Sequence, residues 1–184
     1  MQMAFYFDQS RCIGCHTCVI ACKDWNNILD GSIFWRKVTS CEWGTYPNVF
    51  LTYLSVSCNH CDMPSCANVC PVSAISKSKQ TGIMTVNREE CLGYDACGAC
   101  KSACPYDVPQ FGKEAHAKMQ MCTFCADRLA DHKMPVCVDS CPVHALDAGP
   151  IEELMVKYGS VREVPGFIFS ATTQPAILFK PRYK

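Results

Sequence analysis

The sequence predicts a small α+β fold in which short strands and helices alternate around groups of cysteine, not around a large aliphatic core. Three observations carry this. The chain has 184 residues and 17 cysteines, and sixteen of those fall into four groups of four, leaving Cys41 alone. Short strand-like runs lead into three of the groups. The hydrophobic share of 49% counts cysteine, so aliphatic side chains are scarce for a chain whose length suits one domain or two small intimate ones.

The first group is Cys12, Cys15, Cys18 and Cys22, in C-x2-C-x2-C-x3-C spacing. The second is Cys58, Cys61, Cys66 and Cys70, followed by Pro71. The third is Cys91, Cys97, Cys100 and Cys104, followed by Pro105. The fourth is Cys122, Cys125, Cys137 and Cys141, followed by Pro142. The first spacing is that of bacterial ferredoxins, in which a chain turns around a compact inorganic cube and each thiolate meets one iron. Gly14, Gly98 and Ala99 keep that wrapping backbone small, so that amide N–H groups can point at the cluster and offset its charge. The last cysteine of a group is expected on a short helix, facing away from its own trio. In two-cluster ferredoxins this residue ligates the other cluster.

Taken in order, Ala4 to Phe7 reads as a strand before the first group. Lys23 to Pro47 reads as an insertion carrying Trp25, Trp35 and Trp43, which shield a core or an interface. Asn48 to Ser57, with Val49, Leu51, Tyr53 and Val56, reads as a strand entering the second group. Lys77 to Gly82 is a solvated turn, and Gly82 to Asn87 a strand entering the third group. Pro150 to Tyr158 reads as a helix whose Glu152 and Glu153 suit its N-terminal dipole. Val164 to Lys184 is a tail punctuated by proline that lies on this domain or on a partner.

Other classes find little support. Lys and Arg balance Asp and Glu at 17 each, so no field draws nucleic acid. There is no P-loop, no G-x-G-x-x-G and no recognised nucleophile motif. No apolar run reaches the roughly 18 residues that span a bilayer. Met1 to Arg11 lacks a cationic segment ahead of an apolar stretch, which disfavours a Sec signal and, with it, a disulfide scaffold. Zinc remains an alternative for paired C-x2-C units, yet seldom needs a third cysteine at the same spacing. His16 and His60 sit inside groups that already have four thiols each, so they hydrogen-bond or face solvent. Cys41 reads as structural.

With Cys58-Asn-His-Cys61, Cys104-Pro-Tyr106 and Cys141-Pro-Val-His144-Ala-Leu146 added, the chain resembles the four-cluster iron–sulfur subunit of the dimethyl sulfoxide reductase family. Those subunits serve molybdenum or tungsten bis-pterin oxidoreductases. The resemblance runs from about Phe5 to about Leu178 and implies two nested bacterial-ferredoxin-like modules wrapped around four 4Fe–4S clusters, with insertion loops and a C-terminal tail. The outer module would begin in 1–57, with its insertion, and finish in 106–149. The inner module would occupy 58–105, and 150–184 would be a helix and tail. It further implies four ligand sets: Cys12, Cys15, Cys18 and Cys141; Cys22, Cys122, Cys125 and Cys137; Cys58, Cys61, Cys66 and Cys104; Cys70, Cys91, Cys97 and Cys100.

The third group departs from the family pattern. Counting back from Cys104, the first-cysteine position falls on Tyr94. A three-residue insertion with Cys91 still a ligand is one reading; a three-iron cluster, or Asp95 as a ligand, is the other.

A chain of this size has a radius of gyration of about 16 Å, so four clusters must lie close together and can pass single electrons from face to face without a substrate pocket. Arg11, Lys23, Lys101, Lys118 and Arg128 lie near the groups in sequence and either neutralise cluster charge or are ordinary solvated cations. With so few aliphatics, the clusters are expected to hold the fold and the metal-free chain to be largely disordered. The expected role is electron transfer between a large molybdenum or tungsten bis-pterin subunit and a membrane anchor with quinone, or a soluble partner. The alternatives are a polyferredoxin-like carrier, a subunit of a hydrogenase or formate dehydrogenase, or a metal-binding structural module. The expected location is cytoplasmic, or exported folded with a partner bearing a twin-arginine signal, with membrane association only through a partner.

Overall fold

The computed structural model describes residues 1–29 and 31–183; Asp30, in the insertion, and Lys184, at the end of the tail, lie outside the described residues. The strand expected at Ala4 to Phe7 is β1 (Met3–Asp8), and every one of its residues is buried. It is the central strand of a three-stranded sheet. On one side it pairs antiparallel with β6 (Leu146–Pro150), Phe5 opposite Ala148; on the other it pairs parallel with β7 (Ile177–Lys180), Phe5 opposite Ile177. Continuous burial follows because both faces are covered. Met3, Phe5 and Phe7 face the main core, while Ala4 and Tyr6 pack with Leu154 of α6 (Ile151–Tyr158). Tyr6 stacks on Tyr158 at 3.7 Å.

Two hairpins complete the strands. In the first, β2 (Lys37–Trp43) pairs antiparallel with β3 (Phe50–Val56), Lys37 opposite Val56 and Trp43 opposite Phe50. In the second, β4 (Ile75–Lys77) pairs antiparallel with β5 (Met84–Val86), joined by a turn through Ser78 to Gly82. The expected strands into groups two and three are thus β3 and β5, and the expected C-terminal helix is α6. The tail does not hang free: Ile177–Lys180 adds the edge strand β7 to β1, and Val164, Phe167, Ala176 and Phe179 are buried.

Five further helices are short: α1 (Thr17–Trp25), α2 (Ser65–Asn68), α3 (Ala99–Ala103), α4 (Ala126–Ala130) and α5 (Val136–Asp139). Among the described residues no helix is long and apolar enough to cross a membrane. The main core is part hydrocarbon and part sulfur. Phe5, Phe7, Phe124, Phe179, Met84 and Met119 pack there with Cys18, Cys58, Cys100, Cys122, Cys137 and Cys141. A thin aliphatic core is completed by thiols, as the composition led us to expect.

Candidate metal centres

The short helices explain how one cysteine group serves two places. Cys18, Cys66, Cys100 and Cys137, third in their groups, lie in α1, α2, α3 and α5. The fourth cysteine comes one helical turn later, at Cys22 within α1 and at Cys70, Cys104 and Cys141 at or just past the ends of the other three helices. Neighbouring sulfurs then face different cavities.

Three small cavities of similar size result. One is lined by Cys12, Cys15, Cys18 and Cys141. A second is lined by Cys58, Cys61, Cys66 and Cys104. A third is lined by Cys70, Cys91, Cys97 and Cys100. The remaining motif cysteines, Cys22, Cys122, Cys125 and Cys137, are all buried, and the charges of Cys122, Cys137 and Cys125 all act on Cys22. Each cavity therefore collects sulfur from two groups. Among the described residues no three His, Cys, Asp or Glu side chains converge on a point that would hold a single metal ion.

Local backbone geometry aims amides at the sulfurs. The residue before the second cysteine of C-x2-C is left-handed at Gly14 (φ 70), His60 (φ 42) and Phe124 (φ 59). This turn lets the His60 N–H donate to Cys58 Sγ at 3.4 Å and the Phe124 N–H to Cys122 Sγ at 3.3 Å; the Gly14 N–H does the same for Cys12. Glycine is needed at position 14 for a second reason, since a Cβ there would come within 2.4 Å of the Tyr53 ring. Outside these turns, Ala145 N–H donates to Cys141 Sγ at 3.2 Å and Met119 N–H to Cys91 Sγ at 3.5 Å.

Burial governs the thiols. It pushes Cys58 well above its usual range, Cys122 and Cys66 up to about 12, and Cys61 and Cys100 up to about 11. Without metal these groups are neutral, and ligation must displace their protons. Cys15 goes the other way, lowered by hydrogen bonding from the Thr17 hydroxyl and N–H. Cys15 and Cys97 are the exposed thiols, and they line different cavities.

The third group shows Cys91 lining its cavity with Cys97 and Cys100, whereas Asp95 is not among the lining residues. The Asp95 carboxylate instead accepts the His116 N–H at 3.0 Å. Gly93 to Cys97 forms a turn in which Tyr94 N–H donates to the Ala117 carbonyl.

The cations singled out in the sequence have other occupations. Arg11 pairs with Asp8 and Lys101 with Asp107. Lys23 donates to the Ile33 carbonyl and lies over the Phe34 ring. Arg128 pairs with Asp139 and lies over Trp25. Lys118 alone touches a motif cysteine, donating to the Cys91 carbonyl. The cation that penetrates the core is Arg36, which sequence reasoning missed. It is 2% exposed and donates to Ser55 Oγ at 3.2 Å and Ser57 Oγ at 3.0 Å.

His60 was expected to hydrogen-bond or face solvent. It is 1% exposed, and its Nδ1 accepts the Met84 N–H at 2.9 Å. Desolvation, with Arg36 and Lys77 nearby, lowers its pKa to about 3, so the ring is neutral. Of the tryptophans, Trp35 donates to Gln120 Oε1 at 3.1 Å and packs on the core, Trp25 donates to Asp127, and Trp43 is largely exposed beside Phe50. Cys41 is half-buried in β2 against Gly166, where a Cβ would come within 2.6 Å of its sulfur.

Four thiols around each preformed cavity, with amide donors on the sulfurs, fit 4Fe–4S clusters better than any single ion. The fold and these sites define a polycluster iron–sulfur electron-transfer protein. Known proteins agree. Residues 49–151 match the 4Fe-4S dicluster domain, and residues 3–24 a 4Fe-4S binding domain. The sequence is 41% identical to one polypeptide of the anaerobic dimethyl sulfoxide reductase of Escherichia coli (strain K12), over 98% of this protein and 89% of that one. It is 33% identical to one component of the sulfite dehydrogenase of Allochromatium vinosum, over 100% of this protein and 84% of that one. Identity to the arsenate respiratory reductase iron-sulfur subunit of Shewanella sp. (strain ANA-3) is 31%, over 83% of each. This protein belongs to the dimethyl sulfoxide reductase family of iron–sulfur subunits: it is an electron-transfer subunit of an oxidoreductase, with 4Fe–4S clusters as cofactors.

Proposed function

We propose that this subunit passes single electrons in line between a large molybdenum or tungsten bis-pterin catalytic subunit and a second redox partner. That partner is a membrane anchor exchanging electrons with quinone, or a soluble carrier. The observation that carries this reading is the set of three cavities, each lined by four cysteines drawn from two sequence groups. When bound there, 4Fe–4S clusters supply one-electron transfer across a wide range of potentials.

The chain's own residues do the rest. Cys12, Cys15, Cys18 and Cys141 hold one cluster, and Cys22, Cys122, Cys125 and Cys137 the next. Cys58, Cys61, Cys66 and Cys104 hold the third; Cys70, Cys91, Cys97 and Cys100 hold the fourth. The cross-lined cavities support two nested ferredoxin-like modules, the outer from 1–57 and 106–149 and the inner from 58–105, with 150–184 closing the sheet. Amides of Gly14, His60, Phe124 and Ala145 stabilise ligated sulfur. Cys15 and Cys97, the exposed thiols of two different sets, are the points where a partner reaches the clusters.

The relatives are named for dimethyl sulfoxide, sulfite and arsenate, so one subunit type serves several substrates, and substrate choice belongs to the catalytic partner. The protein works in the cytoplasm or is carried out folded by that partner, and reaches a membrane only through a partner. Native purification under anaerobic conditions, followed by metal and pterin analysis, tests the proposal. Co-purifying molybdenum or tungsten with pterin is expected. A complex holding iron but neither metal would make the chain a polyferredoxin-like carrier instead.

A further inference from the structure

Between Trp35 and β2 the insertion sends one side chain into the interior. Arg36 is fully buried, and among the described residues no carboxylate lies within ion-pair distance of it. Burying a guanidinium without a counter-charge is strongly unfavourable. Its hydrogen-bond acceptors are the neutral hydroxyls of Ser55 and Ser57, and its face lies over the Phe5 ring at 4.7 Å. None of these cancels a charge. The groups that do are sulfurs. Burial alone would push the Arg36 pKa down, yet the charges that Cys137, Cys18, Cys122 and Cys22 bear as ligands act the other way and raise it. Cys18 belongs to one proposed ligand set, and Cys22, Cys122 and Cys137 to the next.

Ser55 extends the contact. Its Oγ lies 3.5 Å from Cys18 Sγ, and the residue lines the cavity of Cys12, Cys15, Cys18 and Cys141. Once Cys18 is a ligand its sulfur has no proton, so the Ser55 hydroxyl donates to the sulfur while its oxygen accepts from Arg36.

Resting on the ligand sets proposed above, we propose that Arg36 is the shared counter-charge of the Cys12/Cys15/Cys18/Cys141 and Cys22/Cys122/Cys125/Cys137 centres, raising their reduction potentials. A reduced centre carries one more negative charge than the oxidised centre. A fixed, desolvated cation beside it stabilises the reduced form more. Arg36 acts through the ligand sulfurs and is a positioning residue for charge, not a catalytic one. The centre of Cys70, Cys91, Cys97 and Cys100 should be little affected, since none of its thiols is among those acting most strongly on Arg36.

The test is an EPR-monitored redox titration of the purified complex carrying Arg36→Met, Arg36→Lys or Ser55→Ala, with iron and labile sulfide measured on the same samples. Arg36→Met should lower the reduced-to-oxidised ratio of two centres at least tenfold at their wild-type midpoints, ~59 mV for a one-electron couple. Arg36→Lys should move them less, and Ser55→Ala should lower only the centre that loses its signal in Cys15→Ser. Unchanged potentials in Arg36→Met at full iron content would overturn the proposal. If Arg36→Met does not retain iron, Arg36→Gln, which removes the charge but keeps hydrogen-bond donors for Ser55 and Ser57, decides, and two centres at wild-type potentials in it would overturn the proposal equally. A wild-type complex without reducible iron–sulfur centres would instead sink the ligand assignment on which this rests.

Discussion

Cys12, in the loop after β1, and Cys141, just past α5, line one cavity although they open and close the run of motif cysteines. The sheet explains the meeting. β1 delivers Cys12 and β6 follows Cys141, and the two strands pair with Phe7 opposite Leu146. Cys141→Ser should therefore remove the same EPR signal as Cys15→Ser, and iron should fall from about sixteen to about twelve per chain. Loss of the signal that depends on Cys122 instead would contradict the pairing.

The third group yields a second prediction. Cys91 lines its cavity, while the Asp95 carboxylate is engaged by the His116 amide. Asp95→Asn should leave iron content and the EPR spectrum unchanged. Cys91→Ser should abolish one 4Fe–4S signal or turn it into an oxidised three-iron signal. The opposite pattern would make Asp95 the ligand.

Much of the site could be read in the chain because cysteine spacing is local information. A turn of C-x2-C and a helix of x3-C are decided within about ten residues, and so were β1, β3, β5 and α6. What was hidden depends on contacts distant in sequence. β7 is a four-residue run in a proline-rich tail, and only its pairing with β1 makes it a strand. β2 alternates poorly and is largely exposed, so its pattern was weak. Arg36 is one of 17 basic residues. Of the cations nearest the cysteines in sequence, Arg11, Lys101 and Arg128 pair with carboxylates, whereas Arg36 enters the core over Phe5 of β1 and is held by Ser55 and Ser57. Burial of a single arginine leaves no trace in composition or periodicity.

His60 supplies a stability prediction. Its Nδ1 satisfies the Met84 amide, tying the Cys58 to Cys61 turn to β5, and its ring meets Phe124 edge-on at 5.2 Å. His60→Leu keeps the bulk but leaves a buried N–H without a partner, which costs about 1–3 kcal/mol. A lowered thermal midpoint of the cluster-loaded protein checks this. A wild-type midpoint would show that the bond contributes nothing.

Asp147 gives a dependence on acid. Burial alone would raise its pKa, but hydrogen bonds from Tyr158, Lys157 and the Ala148 amide hold it below the usual carboxylate value. A carboxylate depressed in the folded state contributes stability that is present above its unfolded pKa and lost as pH falls through the folded one. Asp147→Asn should loosen α6 from the sheet by about 1 kcal/mol at neutral pH and remove part of the acid dependence below about pH 4. Hydrogen exchange of the α6 amides at neutral and acid pH reads both effects. Equal protection in wild type and variant at neutral pH would contradict the role given to Asp147.

The most direct test of the whole account is iron and labile sulfide content, measured with a potentiometric titration, on wild-type complex prepared without oxygen. About sixteen of each per chain and four centres that accept single electrons are expected. Pale material holding zinc, or too little iron to fill two tetrads, would contradict it.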